Sequence, residues 1–200
     1  MTSANNQPVV RIGVLAIQGN FAAHAAALRS AGANAVEVRK PEELAVLDGL
    51  IIPGGESTTI LRFLDHNDFF AQMKHFAESK PVFGTCAGCI LLAKEVLQPA
   101  QRSLGVLNVT VERNAYGRQN DSVILTAPTS LPGGPLEMVF IRAPRIAQTA
   151  PSVEVLARRG DDPVLVREGH LLAATFHPEM STDTRVHSLF VEMVRAHREA

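Results

Sequence analysis

The sequence predicts an α/β protein: a mostly parallel sheet with helices on both faces, and a β-rich antiparallel extension in the second half. Three observations carry this. Up to residue 97, short apolar, β-branched runs alternate with stretches of helical period, the pattern of a parallel sheet with crossover helices. Beyond residue 104, six strand-like runs follow one another across short turns with no helix between them, so part of the sheet must be antiparallel. Between these halves, an apolar run ends in Gly84-Thr85-Cys86-Ala87-Gly88 and passes straight into another apolar stretch, a strand, a sharp turn and a helix.

In chain order, residues 9–17 are almost wholly apolar apart from Arg11, as expected of a strand covered on both faces. Gln18-Gly19-Asn20 breaks it, and residues 21–30 form a helix with Phe21, Ala25 and Leu28 on one stripe and Gly32 as its stop. His24 of that helix is expected to face solvent. Residues 35–38 and 50–52 are short strands with a helical turn at 41–47 between them. The second ends at Pro53-Gly54-Gly55-Glu56-Ser57, where Ser57 is expected to cap the next helix and the glycines allow backbone amides to approach a ligand. Phe69, Phe70, Met73, Phe76 and Ala77 recur at helical spacing and read as core. The run 90–97 is apolar enough for a buried helix. Strands are expected at 104–111, 123–126, 136–141, 153–157, 164–167 and 171–176, punctuated by Pro132-Gly133-Gly134-Pro135 and Gly160-Asp161-Asp162-Pro163. A closing helix places Val186, Leu189, Phe190, Met193 and Val194 on one stripe.

Two hundred residues suit one domain, 1–200, with residues 1–8 expected to be a frayed extension. At 46% hydrophobic and 20% charged residues, with a net charge of -1, the chain has the balance of an ordinary globular protein. It shows no basic stripe for nucleic acid. No stretch approaches the ~20 apolar residues of a membrane span, and the polar start lacks a signal peptide, so a cytoplasmic location is expected. Two cysteines, three apart, make no disulfide framework.

The chemistry is expected at Cys86. In a nucleophile elbow, glycines flank the nucleophile because the tight turn leaves no room for side chains, and the nucleophile stands above the sheet edge. A cysteine at a helix start is helped toward the thiolate by the helix dipole and free backbone amides. It needs a base and a group to orient that base. Phe176-His177-Pro178-Glu179 offers both: proline disfavours the helical region for His177, and residues two apart in an extended segment point the same way. Both Gly54-Gly55 and Cys86 lie at strand ends, where parallel sheets bind ligands. A rival stands beside this. Cys86-Ala87-Gly88-Cys89 also fits a thiol-disulfide exchange motif, although that chemistry needs neither Pro53-Gly54-Gly55-Glu56 nor His177 and Glu179. A zinc site on Cys86, Cys89 and His177 lacks a fourth ligand, so no metal or cofactor is expected.

These motifs resemble the triad glutamine amidotransferases. The narrower resemblance is to the glutaminase subunits of pyridoxal 5'-phosphate synthase. It rests on Val14-Leu15-Ala16-Ile17-Gln18-Gly19, Pro53-Gly54-Gly55-Glu56-Ser57-Thr58-Thr59, the run from Leu107 through Arg113 to Gln119, and Phe140-Ile141-Arg142-Ala143-Pro144. It extends from about residue 10 to the end. The resemblance implies a three-layer α/β/α fold and hydrolysis of L-glutamine to glutamate and ammonia, with Cys86 as nucleophile, His177 as base and then acid, and Glu179 orienting the imidazole. It implies glutamine binding by Gly54, Gly55, Glu56, Ser57, Arg113, Ile141 and Arg142, and an oxyanion hole of backbone amides near Gly55 and Ala87. It also implies a partner, a (β/α)8-barrel synthase subunit that takes the ammonia within a large hetero-oligomer. The glutaminase of another pathway, such as imidazole glycerol phosphate synthase, is the alternative against which the Arg113 to Gln119 run argues. Cys89 departs from the family, which usually has an aliphatic residue there.

Overall fold

The computed structural model describes residues 9–113 and 122–200. In chain order the elements are β1 (Arg11–Leu15), α1 (Phe21–Ser30), β2 (Asn34–Val38), a 3-10 turn (Pro41–Val46), β3 (Gly49–Ile52), α2 (Ser57–Leu64), α3 (Phe69–Ser79), β4 (Val82–Thr85) and α4 (Ala87–Leu92). The second half holds β5 (Ala93–Leu97), β6 (Leu107–Glu112), β7 (Val123–Ala127), β8 (Leu136–Phe140), β9 (Arg145–Thr149), β10 (Glu154–Arg159), β11 (Asp162–Glu168), β12 (Leu171–Ala174), a short 3-10 turn (Pro178–Met180) and α5 (Arg185–Glu199). The expected frayed start, residues 1–8, lies outside the described residues, as do residues 114–119 of the Arg113 to Gln119 run.

Seven strands form the central sheet in the order β10-β11-β12-β4-β3-β1-β2. From β12 to β2 all neighbours are parallel; β10-β11 and β11-β12 are antiparallel, as the absence of intervening helices required. Alternate side chains on each strand enter opposite layers, because strand periodicity is two. Ile52 and Val82 join α2, α3 and α4 on one face, through Ile60, Leu64, Phe69 and Met73. Their neighbours Ile51 and Phe83 join α1 and α5 on the other, through Leu28, Val186, Phe190 and Val194. The result is the three-layer arrangement.

Three expectations are corrected. The apolar run 90–97 is not one helix: α4 stops at Leu92 and the chain continues as β5, parallel to β6. The carbonyls of Leu91 and Leu92 accept from the amides of Leu104 and Val106, and Ala93 accepts from Ser103 Oγ at 2.6 Å, so the backbone is satisfied without another turn of helix. Periodicity alone cannot separate a short buried helix from a strand. Strand β9 was not expected, since Arg145 and Gln148 interrupt its apolar pattern; it pairs antiparallel with β6. Finally, Ser57 is not the cap of α2 but its first residue. The cap is Glu56, whose longer side chain reaches the amides of Thr58 and Thr59 at 3.2 and 2.8 Å. Ser57 Oγ instead donates to Gln101 Oε1 at 2.8 Å.

Candidate active site

The neighbouring parallel strands β1, β3, β4 and β12 end along one edge of the sheet, so the segments that follow them meet there. After β3 comes Pro53-Gly54-Gly55-Glu56, after β4 comes Cys86, and shortly after β12 comes His177. Backbone bonds fix the elbow and the base relative to each other. The Cys86 amide donates to the Ala174 carbonyl at 2.8 Å, and the His177 amide donates to the Val139 carbonyl of β8 at 2.8 Å. Cys86 itself sits at φ 49°, in the left-handed region that non-glycine residues avoid. Strain of this kind at a concave site is a signature of function, and here it turns the thiol out of the sheet edge.

The His177 Nδ1 and Glu179 Oε1 atoms lie 2.8 Å apart, with the Glu179 carboxylate fully buried, and the imidazole is electrostatically coupled to Cys86, which lines the same cavity. The sequence-predicted nucleophile, base and orienting acid are thus brought into one line. Burial opposes charge on His177, but the hydrogen bonds to Cys86 and Glu179, and the negative charge of both, outweigh it and raise the imidazole to about 10. Glu179 is held below the ordinary carboxylate value: burial pushes it up, and the bond to His177, with the electrostatic effects of the neighbouring His24 and His177, pulls it further down. Because the raised value belongs to the folded state, cationic His177 stabilises the protein fully below about pH 6.5, its ordinary value. That contribution vanishes as pH rises to about 10. Urea midpoints of the wild type and His177→Gln should therefore differ most near pH 6 and draw together toward pH 10, whereas a gap independent of pH would contradict the charged pair.

A cavity of about 390 Å³ opens beside these three residues, within the size range of small-molecule sites. Its lining includes Cys86 and His177 together with each residue expected to bind glutamine: Gly54, Gly55, Glu56, Ser57, Arg113, Ile141 and Arg142. Gly54 is required there, since a Cβ on it would lie 2.5 Å from His177 Cε1 and 3.3 Å from Cys86 Cβ. Arg142, like Cys86, has a positive φ, of 44°. Arg113 Nη2 lies 3.5 Å from Glu56 Oε1. The Glu56 carboxylate, already bound by the amides and hydroxyls of Thr58 and Thr59, is lowered to about 2 in spite of the opposing effect of burial, so it stays ionised at any working pH. Ala87, the other expected oxyanion donor, is the first residue of α4 and directly follows the nucleophile.

Sequence reasoning missed four residues here. Gln18, Gly19, Asn20 and Ile90 also line the cavity, and Gln18 Oε1 accepts from the Glu56 amide at 3.2 Å. It also misplaced His24, which is fully buried instead of solvent-facing and lies 3.3 Å from Glu179. Cys89 is fully buried in the core, and burial, with Cys86 nearby, pushes its thiol up to about 12. A thiol so held is a poor participant in disulfide exchange. No cluster of three or more candidate metal-ligating side chains occurs among the described residues.

A cysteine, a histidine and a buried glutamate in line at the carboxyl edge of a doubly covered parallel sheet define a class of site, one built for acyl transfer through a cysteine nucleophile. The chain belongs to the SNO glutamine amidotransferase family, which it matches over residues 14–196. It is 58% identical over 186 residues to a protein of Koribacter versatilis (strain Ellin345) named pyridoxal 5'-phosphate synthase subunit PdxT, covering 93% of this chain and 96% of that one. It is similar to a solved structure described as a glutamine amidotransferase, with a TM-score of 0.84 at 48% identity over 92% of this chain and 98% of the other. The structure of PurLQS from Thermotoga maritima shares the fold alone, at TM-score 0.69 and 14% identity over 96% of this chain and all of that one.

Proposed function

We propose that this chain is the glutaminase subunit of a pyridoxal 5'-phosphate synthase, hydrolysing L-glutamine to glutamate and ammonia for a partner synthase subunit. The observation that carries the reading is that a single cavity holds Cys86, His177 and the expected glutamine-binding residues, in a chain of the SNO family. Glutamine would enter with its carboxamide toward Cys86. The planar guanidinium forks of Arg113 and Arg142 suit its α-carboxylate, and ionised Glu56 suits its α-ammonium group.

The Cys86 thiolate, paired with the His177 cation, attacks the amide carbon. A carbon–sulfur bond forms and the carbonyl π electrons move to oxygen, where the Gly55 and Ala87 amides would receive them; one such donor is worth about 3 kcal/mol. The cationic His177 then gives its proton to the departing nitrogen, and ammonia leaves behind a γ-glutamyl thioester. Neutral His177, oriented by Glu179, takes a proton from water as it attacks the thioester, and collapse releases glutamate and restores the thiolate.

Ammonia set free in neutral water is mostly protonated and no longer a nucleophile, which favours delivery inside a complex. A (β/α)8-barrel partner that receives it, a cytoplasmic setting and a single glutaminase domain over 1–200 complete the proposal. The test is glutamate release from glutamine by the chain alone and with a pyridoxal 5'-phosphate synthase partner subunit. Release that is markedly faster with the partner is expected; no release in either condition would refute the reading.

A further inference from the structure

Behind the triad lies a second line of buried polar groups that the mechanism above does not use. Glu179 spends Oε1 on His177 at 2.8 Å, while Oε2 makes no hydrogen bond among the described residues. Facing Oε2 at 3.3 Å is Nε2 of His24 on α1, which also lies 3.2 Å from the Thr85 hydroxyl. The other nitrogen of the same ring, Nδ1, is 3.0 Å from Nε2 of His187 on α5. The far nitrogen of His187, Nδ1, is buried without a hydrogen-bond partner. Both imidazoles are fully buried and are edged by the Phe83 ring of β4, with centroids 6.4 and 6.2 Å away.

These contacts determine where the protons sit. Burial lowers both imidazoles, His24 to about 4 and His187 to about 3, so at neutral pH each carries one N–H. Two arrangements satisfy the bond between the rings. If His24 Nδ1 donates to His187 Nε2, then His187 must hold its proton on Nδ1, a buried donor with no acceptor. His24 would at the same time turn a lone pair toward the Glu179 carboxylate. An orphaned buried donor costs about 1–3 kcal/mol, and facing lone pairs repel. If instead His187 Nε2 donates to His24 Nδ1, the unpartnered atom is a bare nitrogen lone pair, His24 Nε2–H is directed at the Thr85 oxygen, and Glu179 Oε2 lies 3.3 Å from the same nitrogen. The second arrangement removes the facing lone pairs and leaves a buried acceptor, rather than a buried donor, without a partner.

We propose that His24 is a positioning residue for the catalytic triad: its Nε2–H edge, fixed in that tautomer by His187 and bonded to Thr85, faces the free oxygen of Glu179 at 3.3 Å and holds it by electrostatic attraction. The line then runs His187, His24, Glu179, His177, Cys86, from α5 through α1 to the elbow. Glu179 can orient His177 only while its own rotation is blocked, and the contact from His24 is what blocks it on the buried side. The inference rests on the reading of Cys86, His177 and Glu179 as the working triad.

Two experiments test it. Long-range ¹H–¹⁵N spectra of the unmodified protein with labelled histidine should show His24 protonated at Nε2 and bare at Nδ1 at neutral pH. The Nδ1–H tautomer or an imidazolium would overturn the proposal, and this result depends on neither glutamine nor a variant that folds. In glutamate-release assays with the partner subunit, His24→Met should lower kcat about tenfold, the order expected when a buried polar contact to a carboxylate is lost, with KM within about twofold. His24→Gln, which keeps an N–H, should recover to within about threefold of wild type. An unchanged kcat in folded His24→Met, or His24→Gln as impaired as His24→Met, would overturn the proposal. Failure of the underlying reading looks different: wild-type protein would release no glutamate while the tautomer stayed as assigned.

Discussion

Cys86→Ala is expected to release glutamate from glutamine about ten-thousandfold more slowly than wild type, or slower still, with the fold retained. The size of the effect follows from the cooperation of the triad: once the nucleophile is gone, His177 and Glu179 have nothing to activate, and only binding and oxyanion contacts remain. The fold should survive because the thiol is small and sits at a cavity wall. The same variant should lower the titration of His177, since a hydrogen bond to Cys86 and its charge are among the effects that raise the imidazole. Activity within tenfold of wild type would remove Cys86 from the chemistry.

The second large effect is on stability. A Cβ on Gly88 would lie 2.0 Å from the carbonyl oxygen of Ile52, and one on Gly84 would lie 2.5 Å from the Gly88 backbone. Both contacts are backbone, in the tightest part of the sheet edge, where no flexible side chain can give way. Gly88→Ala should therefore cost more than about 3 kcal/mol, the range of severe overpacking. For a chain of this size that is a fall in melting temperature of roughly 6–12 °C. Calorimetry of the two proteins decides it. A melting temperature within a degree or two of wild type would mean that the elbow can open, and with it the argument for why glycine stands on both sides of Cys86.

Much of this was legible in the sequence, for identifiable reasons. A fully apolar run as short as Leu50-Ile51-Ile52, bounded by turn residues, is too short for a helix and reads as a strand buried on both faces, and three such runs ending in glycine-rich turns or polar motifs put Cys86, His177 and the Gly54-Gly55 loop on one edge. The meeting of Cys86, His177 and Glu179 was legible because they occupy two short motifs. The misses share a cause. Where two local patterns compete, only tertiary contacts decide, and the run 90–97 became helix then strand because β6 was there to pair with its second part. The cap of α2 depended on where the helix starts, a one-residue matter that moved the role from Ser57 to Glu56.

His24 is the more instructive error. It lies three residues after Phe21 and four before Leu28, on the stripe that faces the sheet, so its burial was implied by the same periodicity that identified the helix. A polar ring is tolerated on that stripe because Glu179, Thr85 and His187 meet it inside the core. His187 gave a weaker signal, one residue from Val186 and three from Phe190 on α5, and its meeting with His24 joins positions 163 residues apart.

The measurement that bears most directly on the central claim is mass spectrometry of the acid-quenched protein during turnover of glutamine with the partner subunit present. The account predicts one γ-glutamyl group on the peptide containing both cysteines, located on Cys86 by fragmentation, absent from Cys86→Ala and retained in Cys89→Ser. A γ-glutamyl group on Cys89, or turnover at full rate with no adduct on Cys86 under conditions that trap thioesters, would contradict it.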